Sequence, residues 1–317
     1  MPVNRDKVDR WKEDVARSVD LYNEWFLKFA PKAFRETRVR TTQEVKSALE
    51  RTNNLRRVRP ELLKGQPSVI FTLRMSTAPP IARDRLAGLA KVSKGLLLIM
   101  ERGLLPPRMA PARLMKDLES ICTIIMHLAD QDVFPWLGER RSPSEKEVYR
   151  AATIVADRLC GAQASPIIRN AQEQRQLKVL KGWLEDRGYR DVTGARATVA
   201  SMKPGTFAIH LNVPGVKDDG SNVNIPIDIV VKRKAGWARE FPLLIEAKSA
   251  GDFTNTNKRR KEEATKMADL RRKYGPNVPY VLFLCGYFDS GYLGYEAAEG
   301  IDWVWEHRIE DLAQFGV

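Results

Sequence analysis

The chain has 317 residues and a net charge of +13, from 53 lysines and arginines against 40 aspartates and glutamates. That length suffices for one large core or two. No uncharged apolar stretch approaches the ~18 residues of a membrane span, and Arg5, Asp6, Lys7 and Asp9 interrupt any signal-peptide core, so neither element is expected. Cys122, Cys160 and Cys285 have no paired spacing and sit in apolar contexts, as buried thiols of a reducing cytosol would. His127, His210 and His307 are scattered, so no zinc site is expected.

Residues 1–162 read as helical. Trp11, Val15, Val19, Tyr22, Phe26 and Phe29 recur at helical spacing, and Pro31 is expected to end that helix. Thr41-x-x-Glu44 has the form of a capping box ahead of Val45 and Leu49. Ile81 to Met100 reads as helix with a buried end, and Pro106-Pro107 breaks the chain. Leu114, Leu118, Ile121, Ile125 and Leu128 form a further apolar stripe, and Ser142-Pro143 is expected to open a helix reaching Leu159. The aromatic residues here read as core rather than as base-stacking platforms. Residues 1–164 carry +10 and the remainder +3; Arg35, Arg38, Arg40, Arg51, Arg56, Arg57 and Arg59 crowd one short span. Such density suits a phosphate-facing surface, because lysine and arginine neutralise backbone charge and release counterions; the plainer alternative is a solvated basic face.

From Ser165 the pattern is mixed. Ser165-Pro166 looks like an N-cap with proline at the first helical position, opening a helix that runs to Gly188 with Leu177, Leu180 and Leu184 inward. Strands are predicted near 205–213, 223–232 and 241–248. A basic helix follows at about 257–274, with Ala264, Met267, Leu270 and Tyr274 inward, then a buried strand at Tyr280–Cys285. Ile301 to Glu306 and a short terminal helix come last. Gly286 to Tyr295 reads as a glycine- and aromatic-rich loop without the Lys-Ser/Thr of a phosphate-binding loop, so no nucleotide cofactor is expected.

The chemistry concentrates in Ile225-Pro226-Ile227-Asp228 and Glu246-Ala247-Lys248. Both segments are rich in aliphatic residues, and the polar stretch between them lets them pair as a hairpin. Alternation puts Glu246 and Lys248 on one face and turns Ala247 away, while Asp228 meets the pair from the adjacent strand. Two carboxylates can hold Mg²⁺, a hard ion that prefers oxygen ligands; the Ala247 carbonyl is a further candidate ligand. Lys248 would orient water, stabilise charge or accept a proton, the last only with a pKa lowered by desolvation. Carboxylate-x-Lys also occurs as a solvated edge pair, but Leu243, Leu244, Ile245 and Ala247 leave no polar face here, and a buried charge wants a partner or a metal. Glu173, four residues before Leu177, is expected on the inward stripe of its helix as an accessory acid; a helix-start glutamate favoured by the macrodipole is the alternative.

Asp228, Glu246 and Lys248, with a preceding glutamate-bearing helix, resemble the PD-(D/E)XK nuclease superfamily. The longer string from Glu246 to Glu263, together with Arg10 to Trp25, resembles the XamI-type type II restriction endonucleases. The resemblance spans nearly the whole chain. It implies a mixed α/β, restriction-endonuclease-like αβα core (163–317) after a mainly α-helical N-terminal region (1–162) that embraces DNA or dimerises. It further implies a cytoplasmic prokaryotic enzyme, a homodimer that cuts both strands of a short palindrome with Mg²⁺; members of the group are associated with GTCGAC. Thr254, Asn255, Asn257, Lys258, Arg259, Arg260 and Lys261 follow Lys248 closely and are expected to contact double-stranded DNA, since asparagine suits adenine, arginine guanine and lysine phosphate. Cations at a helix start oppose its dipole, and a bound anion would relieve the conflict. Two competing readings are a structure-specific repair or junction nuclease and a non-catalytic DNA-binding protein on the same fold.

Overall fold

The computed structural model describes residues 2–194, 197–234, 240–254 and 256–317, with backbone alone at 256–260. Two compact units emerge, one of residues 30–168 and one of residues 1–29 with 169–317. Residues 1–29 thus cluster with the sheet, whereas the sequence counted them with the helical region. Hydrogen bonds account for this: Asn4 donates to the Trp303 carbonyl at 2.8 Å, Arg308 reaches Asp14 at 2.8 Å, and Trp11 packs edge-on against Trp303.

Helix α1 (Val8–Arg51) contributes to both units. The helical unit continues with α2 (Pro60–Gly65), α3 (Ile70–Met75), α4 (Arg83–Ala90), α5 (Lys94–Glu101), α6 (Pro111–His127) and α7 (Pro135–Glu139). Helix α8 (Glu145–Asp186) also serves both units. Three expectations need correction. Pro31 does not end its helix, and Thr41 is no cap but lies inside α1, its hydroxyl bonded to the Arg38 carbonyl. Ser165-Pro166 likewise lies inside α8, with the Ser165 hydroxyl bonded back to the Gly161 carbonyl. An interior proline costs ~3 kcal/mol, but flanking turns pack tightly: Ala30 and Ala33 around Pro31, and Cys160 and Ala164 ahead of Pro166, are buried. Third, the expected 81–100 helix is two, parted at Lys91 in left-handed backbone. The core of this unit is mainly aliphatic, built on Val45, Leu73, Leu97, Leu118 and Val155, with Phe134 and Trp136 among them.

The second unit holds a six-stranded sheet in sequential order: β1 (Arg190–Asp191), β2 (Thr206–Val216), β3 (Asn222–Lys232), β4 (Leu243–Ala250), β5 (Tyr280–Gly286) and β6 (Asp302–Trp305). β2, β3 and β4 pair antiparallel; β4, β5 and β6 pair parallel. Between β4 and β5 lies α9 (Thr256–Tyr274), and α10 (Ser290–Ala298) follows β5. Leu177, Leu180 and Leu184 of α8 cover one face, against Ile229, Ile245 and Phe283. Met267 and Leu270 of α9, Leu293 of α10 and Trp11 cover the other, against Val230, Leu244 and Leu282. The fold is therefore mixed α/β, with helices on both faces of the sheet. Residues 286–295, expected as a loop, instead end β5 and start α10, where the Asp289 side chain caps the Tyr292 N–H at 2.7 Å. Gly286 is required there: its φ is +98°, and a Cβ would come within 2.1 Å of the Ala250 carbonyl oxygen.

Side-chain alternation reverses at one row of this sheet. Ile225 and Ile227 face the α9 layer, yet Ile229 and Val231 face the α8 layer. Ladder pairing between β2 and β3 runs on both sides of His210 and Asp228 but skips that pair, and His210 has a φ of +52°. Between β3 and β4 the ladder covers only Ile229–Val231 against Leu243–Ile245, one step short of Asp228 and Glu246.

Candidate active site

The interrupted row puts His210, Asp228 and Glu246 on three neighbouring strands. Asp228 resumes the lost pairing with its side chain, accepting the Ala247 N–H at 2.8 Å. Leu244 belongs to the α9-facing core and Ala247 to the opposite one, so Glu246 and Lys248 project towards α9 as strand alternation requires.

Lys248 Nζ lies 2.9 Å from Glu246 Oε1 and 2.9 Å from Glu263 Oε1 on α9. Lys266, one helical turn on, also contacts Glu246 Oε1 and lies 3.9 Å from Glu263. The Tyr280 hydroxyl donates to Glu263 Oε2. Two carboxylates and two ammonium groups thus share a nearly dry pocket, with side-chain exposures of 4% for Glu246, 0% for Glu263, 17% for Lys248 and 23% for Lys266. Gln176 of α8 supports the strand from the other side through the Lys248 carbonyl at 3.3 Å.

Desolvation pulls Lys248 down, but the Glu263 and Glu246 carboxylates outweigh it and hold the lysine above its ordinary value. Lys248 thus stands between two carboxylates as their shared counter-ion. Asp228 is pushed up to about 6, first by burial and then by the Glu246 charge, against the pull of the Ala247 N–H and the two lysines.

The donor set fits a divalent cation. Glu246 Oε2 is buried and has no hydrogen-bond partner among the described residues, which is costly unless something positive meets it. Asp228, half-buried, stands one ladder step away and would lose its raised pKa to a cation. Ligand atoms of Glu173, His210 and Asp228 also lie within 4.8 Å of one another.

A family model described as XamI restriction endonuclease matches residues 53–305. The chain belongs to the XamI restriction endonuclease family. It is 55% identical over 317 residues, covering 99% of each chain, to a protein of Streptomyces albus G described as type II restriction enzyme SalI. No solved structure matches it. This XamI-family member is a type II restriction endonuclease, and so a hydrolase whose substrate is DNA. Among the described residues no helix is long and apolar enough to cross a membrane.

Sequence reasoning brought Asp228, Glu246 and Lys248 together, and the structure does the same. Glu173 is displaced from expectation: it is exposed, and Gln172 and Gln176 take the inward positions. It nevertheless reaches the rim of the site beside Asp228. Ala247 offers its N–H to Asp228. His210, dismissed as scattered, stands 3.9 Å from Asp228. Glu263, Lys266 and Tyr280 were passed over as site residues; the spacing Glu263, Met267, Leu270 already placed Glu263 on the inward stripe of α9. Of the expected DNA contacts, Thr254 is exposed in a turn with Asp252, its N–H 2.8 Å from the Asp252 carboxylate, and Lys261 is exposed at the start of α9. Asn255 and the side chains of Asn257, Lys258, Arg259 and Arg260 lie outside the described residues. All seven arginines between 35 and 59 are exposed, and Arg38 pairs with Asp157 at 3.2 Å.

Proposed function

We propose that this enzyme cuts both strands of DNA at a short palindrome, GTCGAC, by Mg²⁺-dependent phosphodiester hydrolysis on a PD-(D/E)XK-type core. The observation that carries the reading is the uncapped, buried Glu246 Oε2 opposite Asp228 and beside a fixed ammonium. Near full-length identity of 55% to an enzyme described as type II restriction enzyme SalI supports a shared recognition site.

Asp228 and Glu246 would hold the ion, with the Ala247 carbonyl beside them and Glu173 as an accessory acid; His210 adds a nitrogen donor next to Asp228. When bound, Mg²⁺ supplies charge neutralisation and a more acidic water. Lys248 stabilises the charge that builds on the scissile phosphate. Burial of the pocket strengthens that interaction by excluding competing water. Thr254, Asn255, Asn257, Lys258, Arg259, Arg260 and Lys261, which follow Lys248 closely in sequence, would supply base and phosphate contacts. A palindrome calls for a two-fold symmetric reader, so the working form is a homodimer in the cytoplasm of a prokaryote. The helical region, 1–162, embraces the duplex or joins the protomers, and 163–317 carries catalysis.

The test is digestion of two plasmids that differ only in one GTCGAC site, with Mg²⁺ or with EDTA. A single double-strand cut confined to the site-bearing plasmid and to Mg²⁺ is expected. Cutting of branched DNA without regard to sequence, or shifted but uncut DNA, would displace the reading in favour of a junction nuclease or a binding protein.

A further inference from the structure

We propose that Glu263 is a positioning residue for cleavage, holding the Lys248 ammonium in place throughout turnover; this rests on the reading of Lys248 as the site's cation. Glu263 is fully buried, yet it lies on a helix whose neighbouring Glu262 is exposed. Burying a carboxylate beside an ammonium contributes little net stability compared with an apolar pair, so packing alone gives no reason for it. Its two oxygens have different partners: Oε1 is 2.9 Å from Lys248 Nζ, and Oε2 accepts the Tyr280 hydroxyl. Tyr280 is itself buried at the start of β5, next to the catalytic strand. A continuous support therefore runs from Tyr280 through Glu263 to Lys248.

The second anchor of Lys248 is less dependable. Glu246 Oε1 is shared between Lys248 and Lys266, and its Oε2 has no hydrogen-bond partner among the described residues. A cation drawn to Glu246 competes with both lysines for its charge. Glu263, held to Lys248 by an ion pair and to Tyr280 by a hydrogen bond, keeps its hold on Lys248 in that event. The four charges also balance, Glu246 and Glu263 against Lys248 and Lys266, so neutralising Glu263 leaves two ammonium groups on one carboxylate oxygen and frees Lys248 to swing.

The test compares Glu263→Gln, Tyr280→Phe, Lys248→Ala and the Glu263→Gln/Lys248→Ala double variant. Single-turnover cutting of plasmid DNA that the wild type cuts is measured with Mg²⁺ and saturating enzyme, alongside duplex affinity in Ca²⁺ and melting temperature. A small displacement of a charged group at the reacting centre costs about 100-fold. Glu263→Gln should lose about that much rate per folded molecule, with duplex affinity near wild type. Tyr280→Phe, which removes one hydrogen bond from the support, should lose about tenfold. In the Lys248→Ala background Glu263→Gln should cost nothing more. A wild-type rate in Glu263→Gln, an additive loss in the double variant, or a rate loss that tracks lost affinity overturns the inference. Should Glu263→Gln fail to fold, a wild-type rate in folded Tyr280→Phe overturns it. Full activity of Lys248→Ala sinks the site reading and this inference together, whereas inactive Lys248→Ala beside fully active Glu263→Gln sinks this inference alone.

Discussion

Each unit of the enzyme buries a cluster of charge, and the two clusters are built differently. In the helical unit Glu101 is satisfied at both oxygens, Oε1 by Arg74 at 2.7 Å and Oε2 by Arg83 at 3.2 Å. Burial pulls Arg74 below its ordinary value and the Glu101 charge opposes that pull; what stays unpartnered there is a donor, the Nε of Arg74 and of Arg83, and not a carboxylate oxygen. In the sheet unit both lysines crowd Glu246 Oε1, Oε2 meets nothing described, and Asp228 is pushed up to about 6 beside it. A carboxylate paired at both oxygens adds little net stability and has no oxygen left to offer a ligand. One with an unpaired buried oxygen costs the fold energy and leaves interaction energy available to a cation, which is how unsatisfied groups come to mark functional sites.

The contrast can be broken by substitution in either cluster. Glu246→Gln should have the largest effect, a fall of about 1,000-fold or more in plasmid cutting, because it removes a carboxylate from the charge-stabilising centre. Duplex binding in a gel-shift assay should survive it; undiminished cutting would show that the Glu246 cluster is not the reactive one. Glu101→Gln should do the opposite, lowering unfolding stability by about 3 kcal/mol in denaturant titration because Arg74 is left buried and unpaired. Its cutting rate per folded molecule should stay at the wild-type level. Mg²⁺ at about one hundred times its dissociation constant should add about 2.7 kcal/mol of stability. That gain, read as a rise in melting temperature reversed by EDTA, should persist in Glu101→Gln and vanish in Glu246→Gln. Asp157→Ala, which opens an exposed pair with Arg38, should cost less than about 1 kcal/mol. A larger loss would mean that surface charge, and not enclosure, sets the energies being compared.

The strand of the candidate site was legible because its signal is local. Glu246 and Lys248 are two residues apart on a strand too apolar to be an edge, so alternation alone puts them together. The helix end given to Pro31 and the helix start given to Ser165-Pro166 were wrong for a tertiary reason: packed neighbouring turns offset a proline penalty that sequence rules treat as decisive. Glu173 was placed by counting back four from Leu177, but the stripe runs through Gln172 and Gln176 to Leu180 and Leu184, which leaves Glu173 on its exposed flank. His210 was invisible as a site residue because its partnership with Asp228 depends on strand register and on a positive φ, neither of which residue spacing encodes. Glu263 lay in plain view on a helical stripe with Met267 and Leu270; what hid it was the habit of reading a charged residue among lysines as solvent-facing.

By itself, then, the order of residues determined which side chains could do chemistry, which strands would be buried and which family the chain joins, since those depend on short-range periodicity and on an extended run of identities. Tertiary structure decided how long the helices run, which strand row loses its ladder, and which carboxylate oxygen is left uncapped. Those outcomes depend on what packs against a segment from far away in the chain, and an energy supplied across the fold cannot be read from the neighbours a residue has in sequence.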